Sequence, residues 1–132
     1  MAAAARRLAA SWLPPGAWAA LILFLSSRPS DQIPQTGFTG ADKLVHAGVY
    51  AILGALVARG LVRSGRRGLG VVAVAALAAG AFGLLDEWTQ SFTPGRYPDL
   101  ADAAADLVGA TAGALAAVRY HRRRHASHPP VR

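Results

Sequence analysis

The stretch that decides the fold is Gly83-Leu84-Leu85-Asp86-Glu87-Trp88-Thr89-Gln90, which stands where an apolar run ends. The chain beyond it carries Asp99, Asp102 and Asp106 into the beginning of the next apolar run. The stretch and its continuation contain five of the seven acidic residues of the chain, namely Asp86, Glu87, Asp99, Asp102 and Asp106. A carboxylate at the edge of hydrocarbon costs free energy, so it is retained where it has a partner or a task. We therefore expect a functional site here, at one face of a membrane.

The membrane is indicated by the length and spacing of the apolar runs. Apolar residues make up 53% of the 132 residues and gather into runs of roughly 20, the length that crosses a bilayer core. Helices are predicted over about residues 8–26, 43–62, 69–91 and 99–119. The sequence thus predicts an all-α polytopic membrane protein, a four-helix transmembrane bundle over residues 1–120. Residues 121–132 are predicted to form a basic, disordered cytoplasmic tail.

Two other interpretations of the apolar runs are disfavoured. A soluble alanine-rich bundle would need a polar stripe along every helix, but residues 69–85 are apolar on all sides. The first run could instead be a cleaved signal peptide, since Arg6 and Arg7 precede it. That run is long for a signal peptide, and no small-residue cleavage site follows Leu25.

Charge is sorted between the two ends of the predicted helices. Eleven of the fourteen lysines and arginines fall at one end; Arg28, Lys43 and Arg96 fall at the other, together with all seven acids. The positive-inside rule therefore places both termini in the cytoplasm. The net charge of +7 reports this topology, and the arginines after Val118 are better suited to anionic lipid than to nucleic acid. The absence of cysteine excludes disulfides and thiol chemistry.

Three helices carry a stripe that is polar at the acidic end and small or aromatic further in. At about 100° per residue, the stripes are Asp42, His46 and Tyr50; Gly80, Gly83, Glu87 and Gln90; and Asp102, Asp106, Gly109 and Gly113. Facing such polar ends toward lipid would cost several kcal/mol, so we expect them to converge. The Gly-x-x-x-Gly spacing of the last stripe allows a neighbouring backbone to approach closely.

The residues expected to converge form what we term the acidic cluster: Asp42, Lys43, His46, Asp86, Glu87, Gln90, Arg96, Asp102 and Asp106. Its role can be a packing network, or a site open to the outer leaflet. The site is favoured because acids outnumber fixed cations at that end, which leaves charge for protons or a bound cation to compensate.

The chemistry of the cluster is restricted but not unique. Its oxygen-rich donors suit a divalent cation such as Mg²⁺, Mn²⁺ or Ca²⁺, with Asp42, His46, Glu87 and Asp102 as candidate ligands. General acid–base chemistry by His46 with a carboxylate is the other option. The sequence contains no Gly-x-Ser-x-Gly, no His-Glu-x-x-His and no glycine-rich phosphate loop, and catalytic residues are not assigned.

At these residues the chain resembles the VanZ-like family of small bacterial membrane proteins. The matching motifs are Ser26-Ser27, Asp42-Lys43-x-x-His46-x-x-x-Tyr50, Gly83-x-x-Asp86-Glu87-x-x-Gln90 with Pro94-Gly95-Arg96, and Asp99-x-x-Asp102 followed by Gly109 and Gly113. They cover residues 26 to 113. The chain departs from the family at Asp106, where relatives usually have asparagine, and this adds a carboxylate to the site.

The resemblance implies a multi-pass protein of the bacterial cytoplasmic membrane with a role in the cell envelope and in tolerance of teicoplanin. Membrane lipids are the implied partners, together with a lipoglycopeptide or a cell-wall lipid precursor, and no nucleic acid. Three classes of function stay open: binding of a lipid or lipid-linked ligand, enzymatic modification of a lipid head group or precursor, and a scaffold for other envelope proteins. No feature of the sequence specifies an oligomeric state.

Overall fold

The computed structural model describes residues 2–32 and 40–126, and its described residues contain helices and no strand. The elements are α1 (Ala2–Ser26), a short 3-10 helix (Ser30–Gln32), α2 (Ala41–Arg63), α3 (Leu69–Gln90) and α4 (Leu100–Ala126). All four α-helices contain a segment long and apolar enough to cross a membrane: Ala5–Ser26, Ala41–Arg63, Leu69–Gln90 and Leu100–Arg124. The prediction of an all-α, four-helix membrane fold is therefore confirmed, while the cytoplasmic placement of the termini stays a prediction.

The first and last helices are longer than the sequence patterns predicted. Helix α1 begins at Ala2 instead of near residue 8, and Pro14 and Pro15 lie inside it. Helix α4 continues through Ala126, so the first half of the predicted disordered tail is helical. Alanine and arginine are good helix formers, and neither glycine nor proline occurs between Gly113 and Ala126 to end the helix. Residues 127–132 lie outside the described part of the chain.

The helices form a four-cornered bundle in which α2 and α4 share the most extensive interface. Helix α3 packs against both of them, and α1 packs against α2 and α3. Within the described ranges, α1 makes no close backbone contact with α4. One side of the α2–α4 interface is therefore covered by α3, and the other side is left to the surroundings.

The bundle buries small residues and exposes large ones. Its interior is rich in alanine, including Ala58, Ala75 and Ala114, none of which has exposed surface. Leu77 and Val108 are, by contrast, about two-thirds exposed. This distribution is the reverse of a soluble core and is typical of helices that pack within lipid. It argues against the soluble alanine-rich bundle.

Close approach of α2 and α4 depends on three glycines. A Cβ atom on Gly54 would collide with the backbone of Ala110, and one on Gly109 or Gly113 would collide with the backbone of Ala47 or Ala51. Because these glycines lie along one seam, the two helix backbones are in direct contact over more than a turn. This contact sets the spacing of the polar residues that α2 and α4 carry at the acidic end.

Candidate functional site

Lys43, in the first turn of α2, pairs with three carboxylates at the most exposed level of the acidic cluster. We term Lys43 and its partners Asp42, Asp99 and Asp102 the Lys43 group. The ammonium nitrogen of Lys43 lies 2.6 Å from Asp102 Oδ1, 2.7 Å from Asp99 Oδ2 and 3.2 Å from Asp42 Oδ2. Asp99, which precedes α4, also accepts a hydrogen bond from the backbone N–H of Ala101. The hydrogen bond from Lys43, with that from Ala101, lowers the pKa of Asp99. These ion pairs join the beginning of α4 to the beginning of α2.

One turn deeper lie His46, Glu87 and Asp106, which we term the triad. The imidazole Nδ1 of His46 lies 3.0 Å from Asp106 Oδ1, and its Nε2 lies 3.8 Å from Asp102 Oδ2. Glu87 accepts a hydrogen bond of 2.8 Å through Oε2 from the backbone N–H of Asp99. Helices α2, α3 and α4 each contribute one member of the triad.

The Asp106 side chain reaches the interior because two nearby residues, Gly83 of α3 and Gly109 of α4, lack side chains. Its Oδ2 and Cβ lie 2.8 and 3.1 Å from the position that a Cβ atom on Gly83 would occupy, so any side chain there would displace the carboxyl group. Gly109, three residues further along α4, lets that helix rest directly on Ala47 of α2. Asp106 is consequently fully buried. Its position is a product of helix packing.

Asp86 forms a separate buried group with Ser26, Tyr50 and Gln90, which we term the Asp86 group. The Ser26 hydroxyl donates a hydrogen bond of 2.8 Å to Asp86 Oδ2. The Tyr50 hydroxyl and the Gln90 amide lie at 3.4 Å from the same oxygen. Helix α1 therefore participates in the cluster through the last residue of its span, and every helix but α4 contributes to this group.

Three carboxyl groups of the cluster each bury one oxygen without a hydrogen-bond partner among the described residues. These oxygens are Asp86 Oδ1, Glu87 Oε1 and Asp106 Oδ2, on side chains that are 1%, 6% and 0% exposed. Leaving such an acceptor unsatisfied costs about 1–3 kcal/mol, and more when it is charged. The oxygens are thus poised to be satisfied by a proton, a cation or the donor groups of a ligand.

The triad has the geometry of a small cation site. His46, Glu87 and Asp106 each offer one ligand atom, and these atoms lie within 4.8 Å of one another. Two carboxylates and one imidazole suit Mg²⁺, Mn²⁺ or Ca²⁺ better than a softer metal. Of the four candidate ligands inferred from sequence, His46 and Glu87 belong to this group, whereas Asp42 and Asp102 contact Lys43. Asp106 supplies the third ligand atom of the triad instead of Asp42 or Asp102.

Every residue of the acidic cluster except Arg96 belongs to the Lys43 group, the triad or the Asp86 group. Arg96, in the α3–α4 connection, forms no ion pair with a carboxylate of the described residues, and its buried Nε lacks a hydrogen-bond partner there. Three further residues belong to the site: Ser26, Tyr50 and Asp99. Tyr50 is marked in the sequence by its spacing of four from His46. Ser26 and Asp99 are marked by the family motifs Ser26-Ser27 and Asp99-x-x-Asp102 and by their positions at the edges of apolar runs.

The polar groups from all four helices fall within the part of the chain that matches a protein family. The model of the family described as VanZ/LLP1 matches residues 11–121, which include every residue of the acidic cluster. Comparisons with curated proteins and with solved structures find no match. The family match spans most of the chain and all four helices. The chain therefore belongs to the VanZ/LLP1 family.

Proposed function

We propose that this membrane protein acts in the bacterial cell envelope and contributes to teicoplanin tolerance by binding a lipid or lipid-linked ligand at the acidic cluster. The proposal places the cluster near the outer leaflet of the cytoplasmic membrane, with both termini in the cytoplasm. Its orientation rests on the charge sorting, and its connection with teicoplanin rests on the family resemblance. The chemistry of the ligand follows from the site.

The observation that carries the proposal is the pair of unpartnered oxygens at Glu87 and Asp106. Both belong to the triad, both side chains are buried, and neither oxygen has a hydrogen-bond partner among the described residues. Such acceptors favour a ligand that presents ammonium, amide or hydroxyl donors. Teicoplanin carries an acyl chain that would anchor it in the outer leaflet, beside the unpartnered oxygens of Glu87 and Asp106. Vancomycin carries no such chain.

The test compares growth inhibition in a susceptible bacterial host that produces the protein or its variants. The wild type should raise the inhibitory concentration of teicoplanin more than that of vancomycin. Glu87→Gln and His46→Ala should abolish this protection at unchanged protein level in the membrane. Glutamine retains the oxygen that accepts the Asp99 N–H, so the substitution removes charge with little change of shape.

Asp31→Asn is the matched control because it removes one exposed carboxylate that lies outside the cluster. It should leave protection unchanged. Binding of teicoplanin to the purified protein in nanodiscs should weaken about ten- to hundredfold in Glu87→Gln, as expected for a lost charge-assisted hydrogen bond. Abundant Glu87→Gln and His46→Ala proteins that protect fully would exclude the cluster as the site. Their disappearance from the membrane would instead indicate a packing network.

A second candidate function, modification of a lipid head group or cell-wall precursor, is favoured by the contact between His46 and Asp106. An ionised Asp106 can only accept a hydrogen bond, so the proton would lie on Nδ1 and leave Nε2 as the basic atom. This arrangement is common in general acid–base catalysis.

Asp106→Asn separates the two candidates. An asparagine oxygen still accepts from Nδ1, and the substitution restores the residue usual in relatives. A binding protein that holds its ligand mainly through the unpartnered oxygen of Glu87 should therefore tolerate it. An enzyme that uses the carboxylate to stabilise an imidazolium should lose its activity. An abundant but inactive Asp106→Asn protein would therefore favour the enzyme.

A further inference from the structure

A groove lies between α2 and α4 at the end of the bundle opposite the acidic cluster. It has a volume of about 650 Å³, and the described residues that line it come from these two helices. Arg59 and Arg63 of α2 and Tyr120 and Arg124 of α4 line the end of the groove that is farther from the acidic cluster. Helices α1 and α3 contribute nothing to its walls, so the groove opens to the surroundings of the bundle.

The part of the groove that is nearer the acidic cluster is lined mainly by small residues. Ala55 and Gly113 line this part, Gly113 lies directly against the backbone of Ala51, and Ala116 is exposed on its wall. These residues stand about one to three turns nearer the membrane centre than the arginines. At about 1.5 Å per residue, the groove extends over roughly 12–16 Å along the helix axes. This length accommodates a lipid head group, its glycerol and the upper part of an acyl chain.

The charge of the groove is of one sign. Among the residues that the structure describes, three arginines and His121 line it, and no acidic residue does. The guanidinium of Arg124 lies 5.3 Å from the centre of the Tyr120 ring, a cation–π contact that holds it beside the groove. Arginine binds phosphate through several N–H groups at once and is more weakly hydrated than lysine. The arginine end therefore complements an anionic head group, and the small apolar residues complement an acyl chain.

We propose that this groove binds one anionic glycerophospholipid, with its phosphate at the arginine end and its acyl chain over the small residues. The site is independent of the acidic cluster and of the function proposed for it. It differs from general attraction of basic residues to anionic membranes because it depends on particular arginines and on the shape of the groove. The basic end is also the end that the charge sorting assigns to the cytoplasmic leaflet, where anionic lipids are exposed to basic segments.

The experiment titrates the purified full chain, in dodecyl maltoside micelles, with phosphatidylglycerol or with phosphatidylcholine of the same acyl chains. Native mass spectrometry counts the lipids that remain bound. One phosphatidylglycerol should bind at least tenfold more tightly than phosphatidylcholine. Arg59→Gln with Arg124→Gln should weaken it about 25-fold, because each arginine near a lipid surface contributes about fivefold. Arg66→Gln with Arg67→Gln removes the same charge from the exposed α2–α3 turn and should change binding less than threefold.

A second pair of variants tests the shape of the groove without changing its charge. Ala116→Leu fills the groove from an exposed position and should weaken phosphatidylglycerol binding several-fold. Ala112→Leu adds the same volume at an exposed position of α4 outside the groove and should have no effect. Circular dichroism establishes that each variant retains its helix content, and exposed positions make retention the expected result.

Several outcomes would overturn the proposal. Equal weakening by both double arginine substitutions would mean diffuse electrostatic attraction, and equal binding of both lipids would mean that charge is not recognised. Displacement of the lipid by glycerol phosphate at matching concentration would identify a site for soluble phosphates. Displacement by a short single-stranded RNA, lost in the groove variant, would identify a nucleic-acid site instead.

Discussion

Gly109→Ala tests whether the contact between α2 and α4 positions the imidazole–carboxylate pair. An alanine Cβ at this position would collide most closely with the carbonyl oxygen of Ala47, and it would lie 2.7 Å from both the carbonyl carbon and the Cα of that residue, whereas ordinary contacts begin at 3.4 Å. The obstructing atoms are backbone atoms and cannot rotate away. Relief of the two carbon contacts alone requires the helices to separate by about 0.7 Å at this level, and the nearer carbonyl oxygen requires a larger separation.

This separation acts directly on the triad because His46 adjoins Ala47 in the chain and Asp106 lies one turn before Gly109. The distance of 3.0 Å between His46 Nδ1 and Asp106 Oδ1 would open to at least about 3.7 Å, beyond the range of about 2.7–3.2 Å for such a hydrogen bond. Overpacking of this kind also lowers the free energy of unfolding by about 1–3 kcal/mol. We expect both effects from one added methyl group.

The matched control is Gly48→Ala, one residue beyond Ala47 on α2. A Cβ atom at Gly48 meets nothing within 4 Å, and alanine is the better helix former, so this variant should be as stable as the wild type or more stable. Thermal unfolding in detergent, followed by circular dichroism, measures stability. The ¹⁵N NMR signals of the histidine rings report the hydrogen bond, with the His46 signal assigned from His46→Gln.

Gly109→Ala should unfold at a lower temperature than Gly48→Ala, and its His46 ring signal should shift toward that of an imidazole without a carboxylate partner. Equal stability of the two variants with an unchanged His46 signal would refute the reasoning, since the helices would then not be in the contact described. Teicoplanin protection should also fall in Gly109→Ala at normal protein level.

Three further predictions concern orientation, acidity and metal binding. Alkaline phosphatase fused after Arg124 should be inactive and a fusion within residues 28–41 active; the opposite pattern would place the acidic cluster in the cytoplasmic leaflet. Lys43 lowers the pKa of Asp99. The ionised Asp99 carboxylate therefore stabilises the fold at pH values above its unfolded pKa of about 3.9. This contribution is lost as the pH falls through the lower pKa of the folded state. The wild type should thus lose more thermal stability between about pH 5 and pH 2 than Asp99→Asn does, and parallel losses would contradict this. Titration with Mn²⁺, followed by electron paramagnetic resonance, should detect one site whose affinity falls at least tenfold in Asp106→Asn, whereas equal affinity would exclude the triad as the ligands.

The sequence alone determined the number of helices, their membrane-spanning character and the gathering of acids at one end. These properties depend on local composition and on length, because about 20 apolar residues cross a bilayer wherever they occur in a fold. The same patterns missed the true ends of α1 and α4. Helix ends depend on weak local preferences, and nothing in residues 2–7 or 121–126 interrupts a helix once the adjoining span has formed.

Only the tertiary structure decided which polar side chains meet. Periodicity places Asp102 and Asp106 on one face of α4, but it does not show that the first pairs with Lys43 and the second with His46. Nor does it show that Ser26 donates to Asp86, which is 60 residues away in the chain. Such pairings depend on the rotation and depth of each helix relative to its neighbours. In this protein those quantities follow from direct backbone contacts at glycines, and a difference of a few tenths of an ångström decides whether a hydrogen bond forms.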